Sequence, residues 1–203
     1  MASPEEQGGV VHVVDDDRTI QDVTRLWLAR LAATTKSYAT ADEFLSGYRP
    51  HAVECLLLDL QMPRISGLDL QEVLVLRQIQ SPVIVISAVR DTATVVRAMR
   101  GGAIEFLEKP LEEASLLRAV SDALAHDRAV KEQSADLLRR IDQLTARERE
   151  ILSLLAIAHS TAEIAGALKI RPETVERHRR HIFEKLAVDS VPALVRLMLR
   201  LQR

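Results

Sequence analysis

Along the first 125 positions apolar residues gather in short runs, each ended by a polar or charged stop. The strand candidates fall at 9–14, 34–38, 53–58, 83–87 and 104–107, and all but 34–38 (Thr-Thr-Lys-Ser-Tyr) are rich in Val, Ile and Leu. Near-continuous apolar runs of this length mark parallel strands buried on both faces. Between them, at 18–32, 40–47, 67–79, 91–100 and 112–125, the spacing is helical. Regular alternation of strand and helix predicts an α/β fold: a five-stranded, doubly wound parallel sheet with helices on both faces. Residues 126–143 contain no Gly or Pro and continue the helix begun at 112 as a long charged rod. Val130, Leu137, Ile141 and Leu144 approximate a heptad seam, although a solvated linker helix fits the same residues.

From 144 onward the pattern is helical throughout. Thr145-Ala-Arg-Glu148 and Ser160-Thr-Ala-Glu163 match the capping box, and Pro172 suits a first helical position. Helices are predicted at 146–158, 161–168, 172–187 and 190–201, with the short gap between second and third expected of a helix-turn-helix. The chain therefore divides into an α/β domain at 9–125, a helical linker at 126–143 and an all-α four-helix domain at 144–203.

Composition sharpens this division. Of 203 residues, 47% are hydrophobic but only 3% aromatic, so aliphatic side chains must fill the cores. The single cysteine, Cys55, lies inside a strand run; it excludes an intrachain disulfide and suits a reducing compartment. The N-terminus lacks the basic start and apolar core of a signal peptide, and no apolar run reaches the roughly 18 residues of a membrane span. The expectation is a cytoplasmic protein without a membrane partner. The net charge of −2 conceals an asymmetry: residues 139–203 hold 13 Lys+Arg against 8 Asp+Glu, and the remainder 14 against 21. The basic end is the one suited to a polyanion.

The strand ends carry the candidate chemistry. Val10–Val14 stops in Asp15-Asp16-Asp17, and Cys55–Leu58 stops in Asp59, which opens the turn Asp59-Leu-Gln-Met-Pro-Arg-Ile-Ser-Gly67. Ser87 and Lys109 follow later strands. Doubly wound sheets place function beyond the carboxyl ends of their strands, so these residues are expected at one edge. Clustered carboxylates are costly unless they hold a cation. Asp15, Asp16 and Asp59 suit Mg²⁺, which would mask the repulsion between the Asp59 carboxylate and an incoming phosphoryl group. The Lys109 ammonium and the Ser87 hydroxyl can each bond a phosphate oxygen. Singly these residues have plainer readings: Asp17 as the cap of a helix at Arg18, Lys109-Pro110 as a loop, Phe106 as core.

As a set, residues 9–125 resemble the receiver domain of bacterial two-component response regulators. The resemblance implies that Asp59 is the phospho-acceptor and that Asp15, Asp16 and the main-chain carbonyl of Gln61 join it in holding Mg²⁺. It further implies Ser87 as the switch hydroxyl, Lys109 as the conserved-type lysine and Phe106 as the aromatic switch. A sensor histidine kinase is the implied phosphoryl donor. Arg90 stands where such receivers often have glycine, which stiffens that loop.

Residues 144–200 resemble the LuxR-type helix-turn-helix of the FixJ/NarL subfamily. The carrying stretches are Leu144-Thr-Ala-Arg-Glu-Arg-Glu-Ile-Leu152, Glu163-Ile-Ala165 and Pro172-Glu-Thr-Val-Glu-Arg-His-Arg-Arg-His-Ile-Phe-Glu-Lys-Leu186. In the third helix Val175, Ile182 and Leu186 form an apolar stripe, opposite Glu173, Arg177, Arg180, His181 and Glu184. The family implies base reading by Arg177, Arg180 and, nearer the edge of the face, Glu176. Thr174, Arg179, His181 and Lys185 are phosphate-contact candidates. Ion pairs of Arg180 with Glu176 or Glu184 offer a plainer account. Ala158-His-Ser-Thr-Ala162 replaces the usual Gly-Leu-Ser-Asn-Lys, removing an easy helix stop and a basic residue. The expected function is a transcriptional regulator, not an enzyme, that binds double-stranded DNA as a homodimer under control of phosphorylation. A phosphorylation-independent DNA-binding regulator and a phosphotransfer or docking adaptor are the alternatives.

Overall fold

The computed structural model describes residues 8–89, 91–157 and 159–199. Its elements are β1 (Val10–Val14), α1 (Arg18–Leu28), β2 (Thr34–Tyr38), α2 (Ala41–Gly47), β3 (Glu54–Asp59), α3 (Gly67–Leu76), β4 (Val83–Ser87), α4 (Thr92–Arg100) and β5 (Ala103–Glu108), followed by α5 (Glu113–Asp142), α6 (Ala146–Ala156), α7 (Thr161–Leu168), α8 (Pro172–Leu186) and α9 (Val191–Leu199). The chain separates into two compact units, Met1–Lys131 and Glu132–Arg203, with the boundary inside α5.

In the first unit the strands form one parallel sheet in the order β2-β1-β3-β4-β5. Side chains alternate across the sheet, so one strand feeds two cores. Val11, Val13, Cys55, Leu57, Ile84 and Ile86 face Leu28 of α1 and Leu116 and Val120 of α5. Val14, Leu56, Leu58, Val83 and Val85 face Phe44 of α2, Leu70 and Leu74 of α3, and Ala98 of α4. The central strands are buried on both sides, which explains their unbroken apolar runs. Cys55 is fully buried, and burial pushes its thiol pKa up. The edge strands β2 and β5 are more open.

Helix ends follow their local chemistry. Asp17 caps α1 by accepting the Thr19 N–H at 2.7 Å. The helix expected to reach 32 tightens to a 3₁₀ turn at Ala29–Leu31 and stops at Ala32, whose φ is 53°. The helix expected to reach 79 ends at Leu76; Gln78 turns left-handed, and the Ile79 N–H closes onto the Leu74 carbonyl at 2.9 Å.

One polar cluster interrupts the first unit's core around the middle of β1 and the start of β3. His12 is fully buried, with Nδ1 3.3 Å from the Tyr38 hydroxyl and Nε2 3.4 Å from Glu54 Oε2. The Tyr48 hydroxyl donates to Glu54 at 2.6 Å, and the Glu54 N–H donates to Asp127 of α5 at 2.8 Å. Lys131 pairs with Asp127 at 2.8 Å. This part of α5 is thus fixed to the first unit by charge-assisted bonds rather than by apolar packing.

The second unit packs Ile151, Leu155, Ile164, Val175, Ile182, Leu186 and Leu194 into one core. Leu137 and Leu144 are buried in it and Ile141 packs against it, whereas Val130 is 42% exposed. The supposed heptad seam is therefore spent largely inside the second unit's own core. Capping boxes at Thr145 and Ser160 start α6 and α7 as expected. Lys169, left-handed at φ 53°, ends α7, and α8 begins at Pro172 with Arg171 contributing no side-chain cap. Three residues separate these helices, as a helix-turn-helix requires.

Candidate functional sites: an acidic notch and a recognition helix

The carboxyl ends of β1, β3, β4 and β5 converge. Asp15, Asp16 and Asp59 each place a carboxylate oxygen within 4.8 Å of the others. Asp15 and Asp59 are buried while Asp16 is exposed. Lys109 Nζ donates to Asp15 Oδ2 at 2.8 Å and to Asp59 Oδ2 at 3.1 Å. Burial raises the Asp15 carboxyl above its ordinary range, outweighing the bonds from Lys109 and the Asp17 N–H that favour its charge. Burial alone would lower Lys109, but its bonds to Asp15 and Asp59 hold the ammonium above its ordinary value. The notch is therefore a carboxylate cluster with one fixed internal cation.

Backbone contacts aim these groups. The Gln61 N–H donates to Asp59 Oδ1 at 3.2 Å, and the Asp17 N–H to Asp15 Oδ1 at 2.9 Å. Gly67 lets the turn after β3 fold back on itself: a Cβ there would lie 2.2 Å from the Asp59 carbonyl oxygen. Ser87 is fully buried at the end of β4; its Oγ accepts from the Val89 N–H at 3.1 Å, and its carbonyl accepts from the Lys109 N–H at 2.9 Å. Phe106, paired in register with Val85, is half-buried against the adjoining core. Arg90, expected to stiffen the loop after Ser87, lies outside the described residues, as does Ala158 before α7.

This donor set fits a small hard dication: three carboxylates at one solvent-accessible edge, with Asp16 open to water.

In the second unit α8 presents the expected faces. Val175, Ile182 and Leu186 are buried, and Glu173, Arg177, Arg180 and Glu184 are exposed. Among the described residues neither Arg177 nor Arg180 forms an ion pair. The anticipated pairs of Arg180 with Glu176 and Glu184 give way to Glu176 with Arg179, at 3.6 Å. Arg179 also lies over Phe183, 5.2 Å from the ring centroid. Thr174 is half-buried.

Sequence reading missed an anchor on the other flank. Glu148, seen only as a capping residue, is 3% exposed and accepts from Lys185 Nζ at 2.7 Å. Its other oxygen is 3.9 Å from His181 Nδ1. Lys185 also donates to the Gln143 carbonyl at 3.2 Å. Burial would raise the Glu148 carboxyl, but Lys185 and the Thr145 bonds lower it to about 2. The sequence signal was an acid in α6 and a base 37 residues later in α8, which no local pattern links.

Each unit has a counterpart among known proteins. Residues 11–121 match the response regulator receiver domain, and residues 142–198 match the bacterial regulatory proteins of the luxR family. The response regulator protein TmoT of Ectopseudomonas mendocina is 34% identical over 97% of this chain and 91% of its own length. The transcriptional regulatory protein FixJ of Rhizobium meliloti is 33% identical over 93% of this chain and 94% of its own. Among solved structures, the response regulator StyR superposes with a TM-score of 0.61 at 38% identity, covering 94% of this chain and 98% of StyR. Full-length FixJ from B. japonicum superposes at 0.56 with 28% identity, covering 95% and 97%. With both domains matched in order and nearly the whole length shared, the chain belongs to the two-component response regulators of the FixJ/NarL family, DNA-binding transcriptional regulators under phosphorylation control.

Proposed function

We propose that Asp59 is the phosphoryl acceptor and that Asp15, Asp16, Asp59 and the Gln61 main-chain carbonyl hold Mg²⁺ beside it. The reading rests on the convergence of three carboxylates and the Lys109 ammonium within hydrogen-bonding reach at one sheet edge. Bound Mg²⁺ supplies positive charge to the transferring phosphoryl oxygens. An Asp59 oxygen attacks phosphorus in line as the bond to the histidine of a sensor kinase breaks. Lys109 then moves one of its bonds from Asp59 to a phosphoryl oxygen, and the Ser87 hydroxyl turns from the Val89 N–H to donate to another. Phe106, half-buried beside β4, follows the vacated space and repacks the α4-β5-α5 face. Modification thereby favours a cytoplasmic homodimer on double-stranded DNA, with 9–125 as the switching domain, 126–143 as linker and 144–203 as the reading domain.

Arg177 and Arg180 are the central base readers. They are exposed, without ion pairs among the described residues, and opposite the buried stripe of α8. His181, Lys185, Arg179 and Thr174 flank them as backbone contacts.

The test is incubation with acetyl phosphate and Mg²⁺, followed by intact-mass analysis. The native chain gains roughly 80 Da, the mass of one phosphoryl group. Asp59→Asn gains nothing; equal gain by both proteins would reject Asp59 as acceptor.

A further inference from the structure

At about 100° per residue, Arg177 and Arg180 project away from the buried stripe of α8, while Glu176 lies on a flank with Arg179 and Phe183. That flank is tied to the preceding helix. Thr161, the first residue of α7, donates its hydroxyl to Glu176 Oε1 at 2.6 Å across 15 positions of sequence. Arg179 approaches the same oxygen at 3.6 Å and is itself held over Phe183. Oε2 of Glu176 has no partner among the described residues, and the side chain is 51% exposed. Thr161 has no part in starting its helix, because the Ser160–Glu163 capping box already does so. Its hydroxyl is committed to the recognition helix.

A glutamate without such a tether has several rotamers, and a free carboxylate beside DNA is repelled by phosphates. Here one oxygen is neutralised by a hydroxyl and a guanidinium, and the other keeps its accepting capacity. In the major groove the matching donor is an exocyclic amine, above all cytosine N4. We propose that Thr161 is a positioning residue for base recognition: by holding Oε1 of Glu176 it presets Oε2 to accept from an exocyclic base amine, fixing one base pair of each half-site. The proposal rests on the DNA-reading role of α8 and adds to it a contact reaching from the scaffold helix.

The test uses the full-length, phosphorylated protein and selection of bound sequences from random duplex DNA. Thr161→Val keeps the shape and removes the hydroxyl; Thr161→Ser restores it; Glu176→Gln removes the charge. Thr161→Val and Glu176→Gln should relax the same base pair, each by about tenfold in discrimination. Combining them should add little to either alone, because they act on one contact. Thr161→Ser should recover the native preference, and preferences at the other positions should persist in every variant. A selected site identical to the native one in Thr161→Val would overturn the positioning role while leaving Arg177 and Arg180 as readers, and so would equal loss at every position. If the native protein selects no sequence at all, the DNA-reading role fails and this inference fails with it.

Discussion

Replacing Glu148 by glutamine removes one charge and little volume from the second unit. In the native protein Glu148 Oε2 accepts from Lys185 at 2.7 Å, from the Thr145 N–H at 2.8 Å and from the Thr145 hydroxyl at 3.1 Å. These bonds draw the carboxyl from an ordinary 4.5 to about 2 in spite of its burial. A depression of that size corresponds to on the order of 3 kcal/mol of preference for the ionised form in the folded state. An amide still accepts from Thr145, so Glu148→Gln should cost about 2 kcal/mol at pH 7. The sign follows from the direction of the shift. A depressed carboxyl stabilises fully above its unfolded value near 4.5, and the contribution disappears as pH falls through about 2. The gap between native and variant should therefore be more than half closed at pH 3. Urea unfolding of the intact chain measures it, with far-UV circular dichroism following the helices. Trp27, the single tryptophan and a residue of the first unit, provides a fluorescence transition that should not move. Coincident unfolding of native and variant at pH 7, or a gap undiminished at pH 3, would refute the reasoning.

Other expectations concern the notch and the reading helix. Lys109→Ala removes the cation between Asp15 and Asp59, so Mg²⁺ should bind about three- to tenfold tighter by calorimetric titration; equal or weaker binding would mean that Lys109 does not compete for that charge. Gly67→Ala drives a methyl into the Asp59 carbonyl and to 2.8 Å from the Leu60 Cα, and should lower first-unit stability by about 2–4 kcal/mol in the Trp27 transition. Arg177→Ala should weaken binding to the selected DNA site by about 1–3 kcal/mol and relax one position; a uniform loss on all sequences would make Arg177 a phosphate contact.

What sequence could and could not reveal follows from the range of the interactions. The strands were readable because burial on both faces leaves Val10–Val14, Leu56–Leu58 and Val83–Ile86 nearly free of polar residues. Helix starts were readable because capping is local: Asp17, Thr145 and Ser160 each bond an N–H two or three residues on. Helix stops were less so, since Ala32 and Gln78 adopt left-handed conformations without glycine. The members of the acidic notch were readable as strand-end residues, but the bridging of Asp15 and Asp59 by one ammonium was not. Hidden altogether were ties across long sequence gaps: Glu54 to Asp127, Glu148 to Lys185, Thr161 to Glu176. Each depends on a side chain that reads locally as an ordinary surface charge or cap, and only tertiary packing brings the partners together.

Cys55 gives the molecule a built-in tamper seal. A lone sulfhydryl in β3, the central strand, fully shielded and held protonated, offers nothing to peroxide or alkylating reagents while the sheet stays closed. Its labelling rate is then a clock for opening of the sheet itself, readable in crude mixtures without any engineered probe.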